Sequence, residues 1–423
     1  MPKKPAKPKA VPPAPVVLKP PRRAKNKLPS GKSVPVAGCA PLPPEDAAAQ
    51  GMVLPVVGVG ASAGGLEAFT QLLQHLPIDS GMAFVLVQHL HPEYESALTE
   101  ILSRVTSMPV AEVVDGMVIE PNHVYVIPPN TYLAVLHGVL HLVPRTSIAG
   151  QNLPIDYFLR SLADDQGSKA IGVILSGTAS DGVLGLKAIK GEGGITFAQD
   201  EKTAKYNGMP HSAIAAGCVD FILSPEKIAA ELARISRHPF VLRGAVEGLK
   251  QTPDWVDALP TGADDLNKIF LVLRRFSGND FTYYKRTTTQ RRIKRRMLLH
   301  KLERLKDYVR YLHDHPNEVR ELFHDLLINV TSFFRDPEAF VALKEVVFPA
   351  VLNRPAETPV RLWVPGCASG EEAYSIAIAL LEHLGDRGGI TPVQIFATDI
   401  DEDAIEKART GVYPENIAQD VSP

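Results

Sequence analysis

The chain has 423 residues, of which 45% are apolar and 22% charged, a balance typical of a globular protein with several domains. Its three cysteines, Cys39, Cys218 and Cys367, lie far apart, which excludes a disulfide scaffold and a cysteine-rich zinc site and favours a reducing compartment. Ten basic residues and no acidic one lie between Lys3 and Lys32, so the formal net charge of −2 conceals a remainder that is clearly acidic.

Residues 1–52 are rich in proline, alanine and lysine. Proline fixes φ and removes a backbone donor, and the segment has too little apolar surface to offset the entropy of ordering it. We therefore expect a disordered arm, and no secretory signal, because prolines interrupt its apolar stretches. No apolar run in the chain reaches 18 residues, so we expect no membrane insertion and a cytoplasmic protein.

Residues 53–238 alternate short apolar runs with amphipathic segments. The runs VLPVVGVG, AFVLVQHL, AIGVILSG, ITFAQ and VDFIL are apolar on both faces, as in parallel strands that are covered by helices on both sides. This pattern predicts an α/β domain with a doubly wound parallel sheet. Residues 123–144 have polar turns at Pro129–Asn130 and His137–Gly138, and we expect them to form an antiparallel meander appended to that sheet.

The rest of the chain changes character twice. Residues 239–260 read as a linker, and residues 261–342 carry helical patterns that predict a small all-helical domain. In residues 343–423 the strand RLWVPG, a helix and the strand VQIFATDI predict a second α/β unit. One βαβ unit cannot complete a doubly wound sheet, so we expect this last domain to be truncated.

The sequence GASAGG at residues 60–65 follows the first predicted strand and precedes a helix. Such a turn exposes the hydroxyl of Ser62 and directs the N–H groups of the helix N-terminus toward it, where they would stabilise an oxyanion. Gly58 and Gly60 also match part of a dinucleotide-binding fingerprint. The glycines alone do not separate a nucleophile turn from a phosphate loop.

Two residues at later strand ends favour the nucleophile. His89 ends the second strand, where a dinucleotide site needs an acid, and Asp181 follows the strand AIGVILSG. Parallel strands end at one edge of a sheet, so Ser62, His89 and Asp181 can act as nucleophile, base and orienting carboxylate of a serine hydrolase. Each residue also has an alternative role. Ser62 could be a small turn residue, His89 could be a polar strand end or a metal ligand paired with His91, and Asp181 could cap a helix. No further metal ligand stands out, and we predict no metal site.

At this point the residues resemble a known family. The stretches GVGASAGGLEAF, VLVQHLHP, ILSGTASDGVLGLKAIK and FAQDEKTAKYNGMPHSAIAAG resemble the catalytic domain of CheB-type chemotaxis protein-glutamate methylesterases. The resemblance implies cofactor-free hydrolysis of glutamate γ-methyl esters on chemoreceptors, and deamidation of glutamines, with Ser62, His89 and Asp181 as the triad. It implies substrate contacts from Ala63, Thr178, Met209 and Pro210. The family's usual receiver domain has no likeness to the arm, so we expect no activation by phosphorylation of this chain.

The helical region contains the segment DFTYYKRTTTQRRIKRRM. Like charges four residues apart on a helix repel, so an anionic partner is expected to compensate them, and we favour an acidic protein helix over a solvated face. Nucleic acid is not expected, because no aromatic residues interleave. The basic residues concerned are Arg291, Arg292, Lys294, Arg295 and Arg296.

This segment, together with LLINVTSFFRDPEAF, LWVPGCASGEEAYSIA and IFATDID, resembles the CheR-type chemotaxis protein-glutamate methyltransferases, whose helical domain docks on the receptor. Gly366 and Gly370 would let the backbone approach a cofactor, although a structural turn with a capping acid would look the same. The resemblance implies that S-adenosylmethionine is contacted by Asn329, Thr331, Arg335, Glu371 and Asp399.

These observations predict a methylesterase fused to an incomplete methyltransferase module with weak or absent methyl transfer. The alternative is a non-catalytic signalling scaffold that docks on receptor helices. A nucleotide-binding oxidoreductase is disfavoured by His89 and by the lack of a Tyr-x-x-x-Lys pair.

Overall fold

The protein is described from a computed structural model. The predicted arm (residues 1–52) and linker (239–260) lie outside the described residues, as does His91. Over the described stretches, no helix is both long enough and apolar enough to cross a bilayer. Those stretches are residues 54–89, 97–145, 153–238, 263–353, 359–385, 391–413, 417–418 and 420–421.

The first α/β domain alternates strands and helices. Its elements in chain order are β1 (Val56–Ala61), α1 (Gly65–His75), β2 (Ala83–Gln88), α2 (Leu98–Ser103), β3 (Val110–Glu112), β4 (Met117–Val118), β5 (Val124–Val126), β6 (Thr131–Leu136), β7 (Val139–Pro144), α3 (Pro154–Gln166), β8 (Ile171–Ile174), α4 (Val183–Gly191), β9 (Ile195–Gln199), α5 (Gly208–Ala215), β10 (Phe221–Leu223) and α6 (Pro225–Ser236).

Seven of these strands form one parallel sheet in the order β10-β9-β8-β1-β2-β5-β3. From β1 the chain moves toward one edge through β2, and later from β8 toward the other edge. The predicted doubly wound sheet is thereby confirmed. Its direction reverses between β1 and β8, and ligands of open α/β sheets bind in the crevice beyond the carboxyl ends of the strands at such a point.

Two glycines set the distance between the sheet and helix α3. A Cβ atom at Gly58 would lie 2.6 Å from a methyl group of Leu159, and one at Gly60 would lie 2.4 Å from a methyl group of Ile155. Glycine at both positions therefore lets α3 pack directly against β1. The partial dinucleotide fingerprint is thus explained by helix packing.

The predicted antiparallel meander is only partly right. Strands β6 and β7 do form an antiparallel hairpin through His137–Gly138, with β4 beside them in a separate sheet. However, β5 lies in the main sheet, parallel to both β2 and β3. Its three residues are fully buried, and a covered central strand needs an apolar run on both faces.

The helical domain and the second α/β unit follow residue 262. Their described elements are α7 (Ala263–Ser277), α8 (Arg286–Leu299), α9 (Leu305–Asp314), α10 (Pro316–Leu327), α11 (Pro337–Ala342), a π-helical turn (Leu343–Val347), α12 (Phe348–Leu352), β11 (Val360–Pro365), α13 (Glu371–Leu384), β12 (Val393–Thr398) and α14 (Glu402–Thr410). Strands β11 and β12 are parallel, as predicted.

Helix α8 docks its arginines on the first domain. Arg292 donates to the carbonyl oxygen of Lys190 (2.8 Å) and to that of Gly191, at the C-terminal end of α4. Arg295 donates to the carbonyl oxygen of Gly194 (2.9 Å). Carbonyls at a helix C-terminus carry partial negative charge and attract cations. Burial lowers the pKa of Arg292 to about 10.

The guanidinium of Arg295 also binds two carboxylates. It lies 2.5 Å from Asp220 of the first domain and 2.6 Å from Asp325 of α10, and its own side chain is fully buried. Burial alone would raise the pKa of Asp220, but the charges of Arg295 and Lys190 and the hydrogen bonds from Thr196 N–H and Arg295 together outweigh burial and lower that pKa. Desolvated charges of this kind are tolerated only when they are paired and hydrogen-bonded.

The prediction that the basic segment offers its charge to an acidic partner is therefore wrong for Arg292, Arg295 and Arg296, which are buried. Their compensating groups come from the same chain, and Arg296 pairs with Glu318 of α10. Arg291 and Lys294 on the same helix are partly exposed.

Replacing Arg295 by alanine would leave Asp220 and Asp325 buried without their cation. We expect the free energy of unfolding to fall by about 3–5 kcal/mol, as for other broken buried pairs. The exposed pair of Arg274 with Asp280 provides the control, because Arg274→Ala should change stability little. Urea unfolding measures both; equal effects of the two substitutions would contradict the account.

Glu318 makes stability depend on acid pH. Burial would raise its pKa, but hydrogen bonds from His300 and Arg296 outweigh burial and lower the pKa to about 2. A depressed pKa stabilises the fold above the unfolded-state value of about 4.3, and this contribution is lost as the pH falls toward 2. The stability difference between the wild type and Glu318→Gln should therefore shrink between about pH 5 and pH 2. The exposed Glu338→Gln variant should show no such trend in acid titrations of urea unfolding.

Candidate active site

Ser62 and His89 occupy equivalent positions on neighbouring strands. The parallel register of β1 and β2 pairs Ala61 with Gln88, and the next residues along the chain are Ser62 and His89. Neighbouring strands lie about 4.8 Å apart, so the two residues begin side by side at one edge of the sheet. This edge lies at the switch point between β1 and β8.

The turn that carries Ser62 is tied to the loop after β8. The backbone N–H of Ser62 donates to the carbonyl oxygen of Ser176 (3.0 Å). The hydroxyl of Ser176 donates in turn to the carbonyl oxygen of Ala63 (2.9 Å). The same hydroxyl accepts a hydrogen bond from the backbone N–H of Tyr206 (3.0 Å). Gly64 has φ 76°, and a Cβ atom there would lie 2.7 Å from the Ser176 hydroxyl oxygen. Only glycine suits this site.

His89 is bound directly to Asp181. Its Nε2 atom lies 2.7 Å from Asp181 Oδ2; the carboxylate is fully buried and the imidazole 27% exposed. This leaves Nδ1 as the ring nitrogen available to a hydroxyl. Among the described residues, no hydrogen bond yet joins His89 to the Ser62 hydroxyl. Catalytic hydrogen bonds in ligand-free enzymes are often long and tighten when substrate binds.

Asp181 is in turn held by the N-terminus of α3. Its carboxylate accepts the backbone N–H groups of Ile155 (3.0 Å) and Asp156 (2.8 Å). Pro154, the first residue of α3, has no N–H, so these are the first two donors that the helix offers. The positive end of the helix dipole therefore stabilises the buried anion.

Two backbone N–H groups near the Ser62 turn are of interest: Ala63 N–H directly follows Ser62, and Thr178 N–H follows Gly177, where a Cβ atom would lie 3.0 Å from Ser62 Cβ. Within the described stretches, neither Ala63 N–H nor Thr178 N–H has an acceptor. A pair of unsatisfied donors next to a nucleophile is suited to binding an oxyanion. Thr178 is exposed and Ala63 partly exposed, as contact with a substrate requires.

Met209 and Pro210 lie deeper than Thr178. Both are buried in the first turn of α5, and Met209 N–H donates to the carbonyl oxygen of Gly177 (3.0 Å). A Cβ atom at Gly177 would lie 2.1 Å from the Met209 sulfur and 3.0 Å from Ser62 Cβ. Met209 therefore packs behind the Ser62 turn, with Gly177 next to both.

The residues expected to contact S-adenosylmethionine fall into two groups. Glu371 starts α13 and accepts from the Ser369 hydroxyl (2.7 Å), while Asp399 follows β12 and accepts from Ala368 N–H (2.8 Å), so both border the loop after β11. A Cβ atom at Gly366 would meet nothing within 4 Å, so this loop is open. Each Asp399 oxygen has a second lone pair left for a ligand hydroxyl. These residues fit the cofactor.

The second group lies between α10 and α11. Asn329 donates to Asp401, and Arg335 donates to the carbonyl oxygen of Val330 (2.9 Å). Thr331 is part of the same segment and is partly exposed. Burial would raise the pKa of Asp401, but hydrogen bonds from Ala404 N–H, Asn329 and His324 lower it.

Sequence reasoning missed Asp156 and Ser176, which are buried and form hydrogen bonds to Asp181 and to Ala63 of the Ser62 turn, respectively. The pattern Leu-Pro-Ile-Asp marks a helix start and so signals α3, but it does not show that a distant carboxylate caps it. Ser176 sits within the run ILSGT and carries no distinguishing pattern.

Fold and site together define an α/β protein with a hydrolase-type serine, histidine and aspartate at the sheet's switch point. Three family models match consecutive parts of the chain: CheB methylesterase (residues 57–232), the all-alpha domain of CheR methyltransferase (264–327) and its SAM binding domain (329–423). Residues 57–232 thus match the CheB family, and residues 264–327 and 329–423 match the CheR family. The resemblance seen in the sequence is confirmed.

Parts of the chain are also similar to individual proteins. An uncharacterized 104.1 kDa protein of Rhodobacter capsulatus is 37% identical over 340 residues, covering 77% of this chain and 35% of that protein. A protein-glutamate methylesterase/protein-glutamine glutaminase 2 of Burkholderia lata is 40% identical over 184 residues, covering 43% of this chain and 54% of that protein. The crystal structure of the Thermotoga maritima CheB methylesterase catalytic domain matches with 30% identity and a TM-score of 0.40, covering 43% of this chain and 97% of that one. The chain thus spans a third to a half of the curated relatives' length.

Proposed function

We propose that the chain is a protein-glutamate methylesterase whose nucleophile is Ser62. The observation that carries the proposal is the hydrogen bond between His89 and Asp181, with Ser62 at the register-equivalent position on the neighbouring strand. The CheB family membership supplies the substrate class, namely glutamate γ-methyl esters of chemoreceptors, with deamidation of glutamines as a second reaction.

The reaction proceeds in two steps. Ser62 Oγ attacks the ester carbonyl carbon while His89 Nδ1 takes the hydroxyl proton, and Ala63 N–H and Thr178 N–H bind the resulting oxyanion. The tetrahedral intermediate collapses to an acyl-serine, and His89 returns the proton to the departing methanol. Water then attacks the acyl-serine while His89 takes its proton; the bond from the acyl carbon to Ser62 Oγ breaks, His89 returns the proton to Oγ, and a glutamate side chain is released. With a glutamine substrate, ammonia leaves instead of methanol.

Asp181 acts through His89. Its carboxylate holds the imidazole with Nε2–H toward Asp181, so that Nδ1 faces the hydroxyl, and it stabilises the imidazolium that forms. Complete burial removes competing water from this hydrogen bond. The arrangement favours a catalyst over the scaffold alternative, because a docking protein has no use for a buried carboxylate paired with a half-exposed imidazole.

The CheR part adds a proposed cofactor site, for which the sequence predicts weak or absent methyl transfer. Glu371 and Asp399, with Asn329, Thr331 and Arg335, would hold S-adenosylmethionine, which supplies an electrophilic methyl group to a glutamate carboxylate. We propose that both parts act on a methyl-accepting chemoreceptor or a related signalling protein in the cytoplasm.

The Ser62→Ala substitution tests the esterase directly. Removing the nucleophile of a serine hydrolase lowers kcat by about 10⁴-fold or more, so methanol release from a methylated receptor should fall to near background. Ser103→Ala serves as the control, because Ser103 lies on α2 and binds only a carbonyl within its own helix. Methanol release that Ser62→Ala leaves unchanged would exclude the triad and favour the scaffold.

A further inference from the structure

The N-termini of helices α3 and α4 are capped reciprocally, each by a carboxylate that lies at or just before the start of the other helix. Asp181, two residues before α4, accepts the first two N–H groups of α3, which belong to its second and third residues, Ile155 and Asp156. The carboxylate of Asp156 accepts the N–H of Gly185 (2.7 Å), the third residue of α4. Each helix is therefore capped by an acid that belongs to the other.

Neither helix has a capping side chain of its own. The residue before α3 is Leu153 and the residue before α4 is Gly182, and neither supplies a side-chain hydrogen bond. Orphan N–H groups at a helix start need an acceptor, and a buried carboxylate needs donors. The exchange satisfies both needs for Asp156 and Asp181, each of which is 0% exposed.

We propose that Asp156 is a positioning residue for the catalytic carboxylate, an inference that rests on the proposed esterase function. Asp156 holds Asp181 from two sides. Its N–H binds Oδ1 directly, and its carboxylate fixes the first turn of α4, immediately after Asp181. Misplacing a catalytic group by about 1 Å costs up to about 10²-fold in rate.

Other titratable and charged groups also surround Asp181 and Asp156. His89 faces Asp181, and Tyr132 on β6 and Arg145 just after β7 interact with it electrostatically. Asp156 faces the buried Cys218 thiol, whose pKa is raised by burial to about 12, so it stays neutral. The Asp156 carboxylate accepts the N–H of Gly185, which ties it to the first turn of α4.

Asp156→Ala should lower kcat for methanol release by about 10–100-fold with little change in KM, because Asp181 loses its orientation while the substrate surface is untouched. Asp156→Asn keeps an acceptor for Gly185 N–H and should restore most of kcat. A displaced Asp181 also stabilises the His89 imidazolium less. In the pH profile of kcat/KM, the acidic limb should therefore move to lower pH in Asp156→Ala.

The matched control lies on the same helix. Asp165 of α3 caps the turn at His137 and Gly138, far along the helix from Asp181, so Asp165→Ala should leave kcat and the acidic limb unchanged. Proton NMR offers a readout that needs no turnover, since the downfield signal of the His89 proton bound to Asp181 should shift in Asp156→Ala and remain in Asp165→Ala.

A folded Asp156→Ala protein with wild-type kcat, acidic limb and His89 signal would overturn the inference. A second result would also overturn it: a lower kcat in Asp156→Ala with an unmoved acidic limb, where Asp156→Asn does not restore kcat. That pattern indicates loss of fold alone. If Asp156→Ala does not fold, Asp156→Asn takes its place: a strongly reduced kcat with an unmoved His89 signal would contradict the inference, because Asp181 would then have kept its orientation. If the wild type itself releases no methanol, the proposed function fails, and the NMR signal still decides whether Asp156 positions Asp181.

Discussion

The site depends on a buried carboxylate held at the start of a helix. The buried Asp181 carboxylate accepts hydrogen bonds from Ile155 N–H and Asp156 N–H, which replace the water it would bind at the surface. Those donors reach it because Gly58 and Gly60 let α3 pack directly against β1. Small residues in the central strand thus determine where the acid lies, and the acid determines how His89 is oriented.

The sheet topology explains why one edge carries the chemistry. β1 lies between β2 and β8, and the chain leaves these three strands at the same edge, carrying Ser62, His89 and Asp181. The hydrogen bonds of Ser176 to the Ser62 turn and to Tyr206 then link the loops after β1, β8 and β9. The scaffold therefore brings the three proposed catalytic residues to one edge of the sheet, and enzymes gain much of their rate from groups that are oriented in this way.

Sequence patterning correctly predicted the features that depend on strand periodicity, namely the central strands. Uninterrupted Val, Ile and Leu runs located β1, β2 and β8, and the shared edge of a parallel sheet then followed. Sequence patterning failed where contacts with residues far away in the sequence decide whether a side chain is buried or which strand is the partner. Arg295 is buried because Asp220, 75 positions earlier, and Asp325 compensate its charge. Nothing in the local spacing of the basic helix contains that information, and three-residue β5 is too short for its pattern to separate a parallel from an antiparallel partner.

A crystal structure of the protein reacted with a fluorophosphonate ester would test the account most directly. We expect the phosphorus on Ser62 Oγ, the phosphoryl oxygen about 2.7–3.1 Å from Ala63 N–H and Thr178 N–H, and His89 Nδ1 within hydrogen-bond reach of Oγ. A label on another residue, or an imidazole that no rotamer brings to Ser62, would contradict the account.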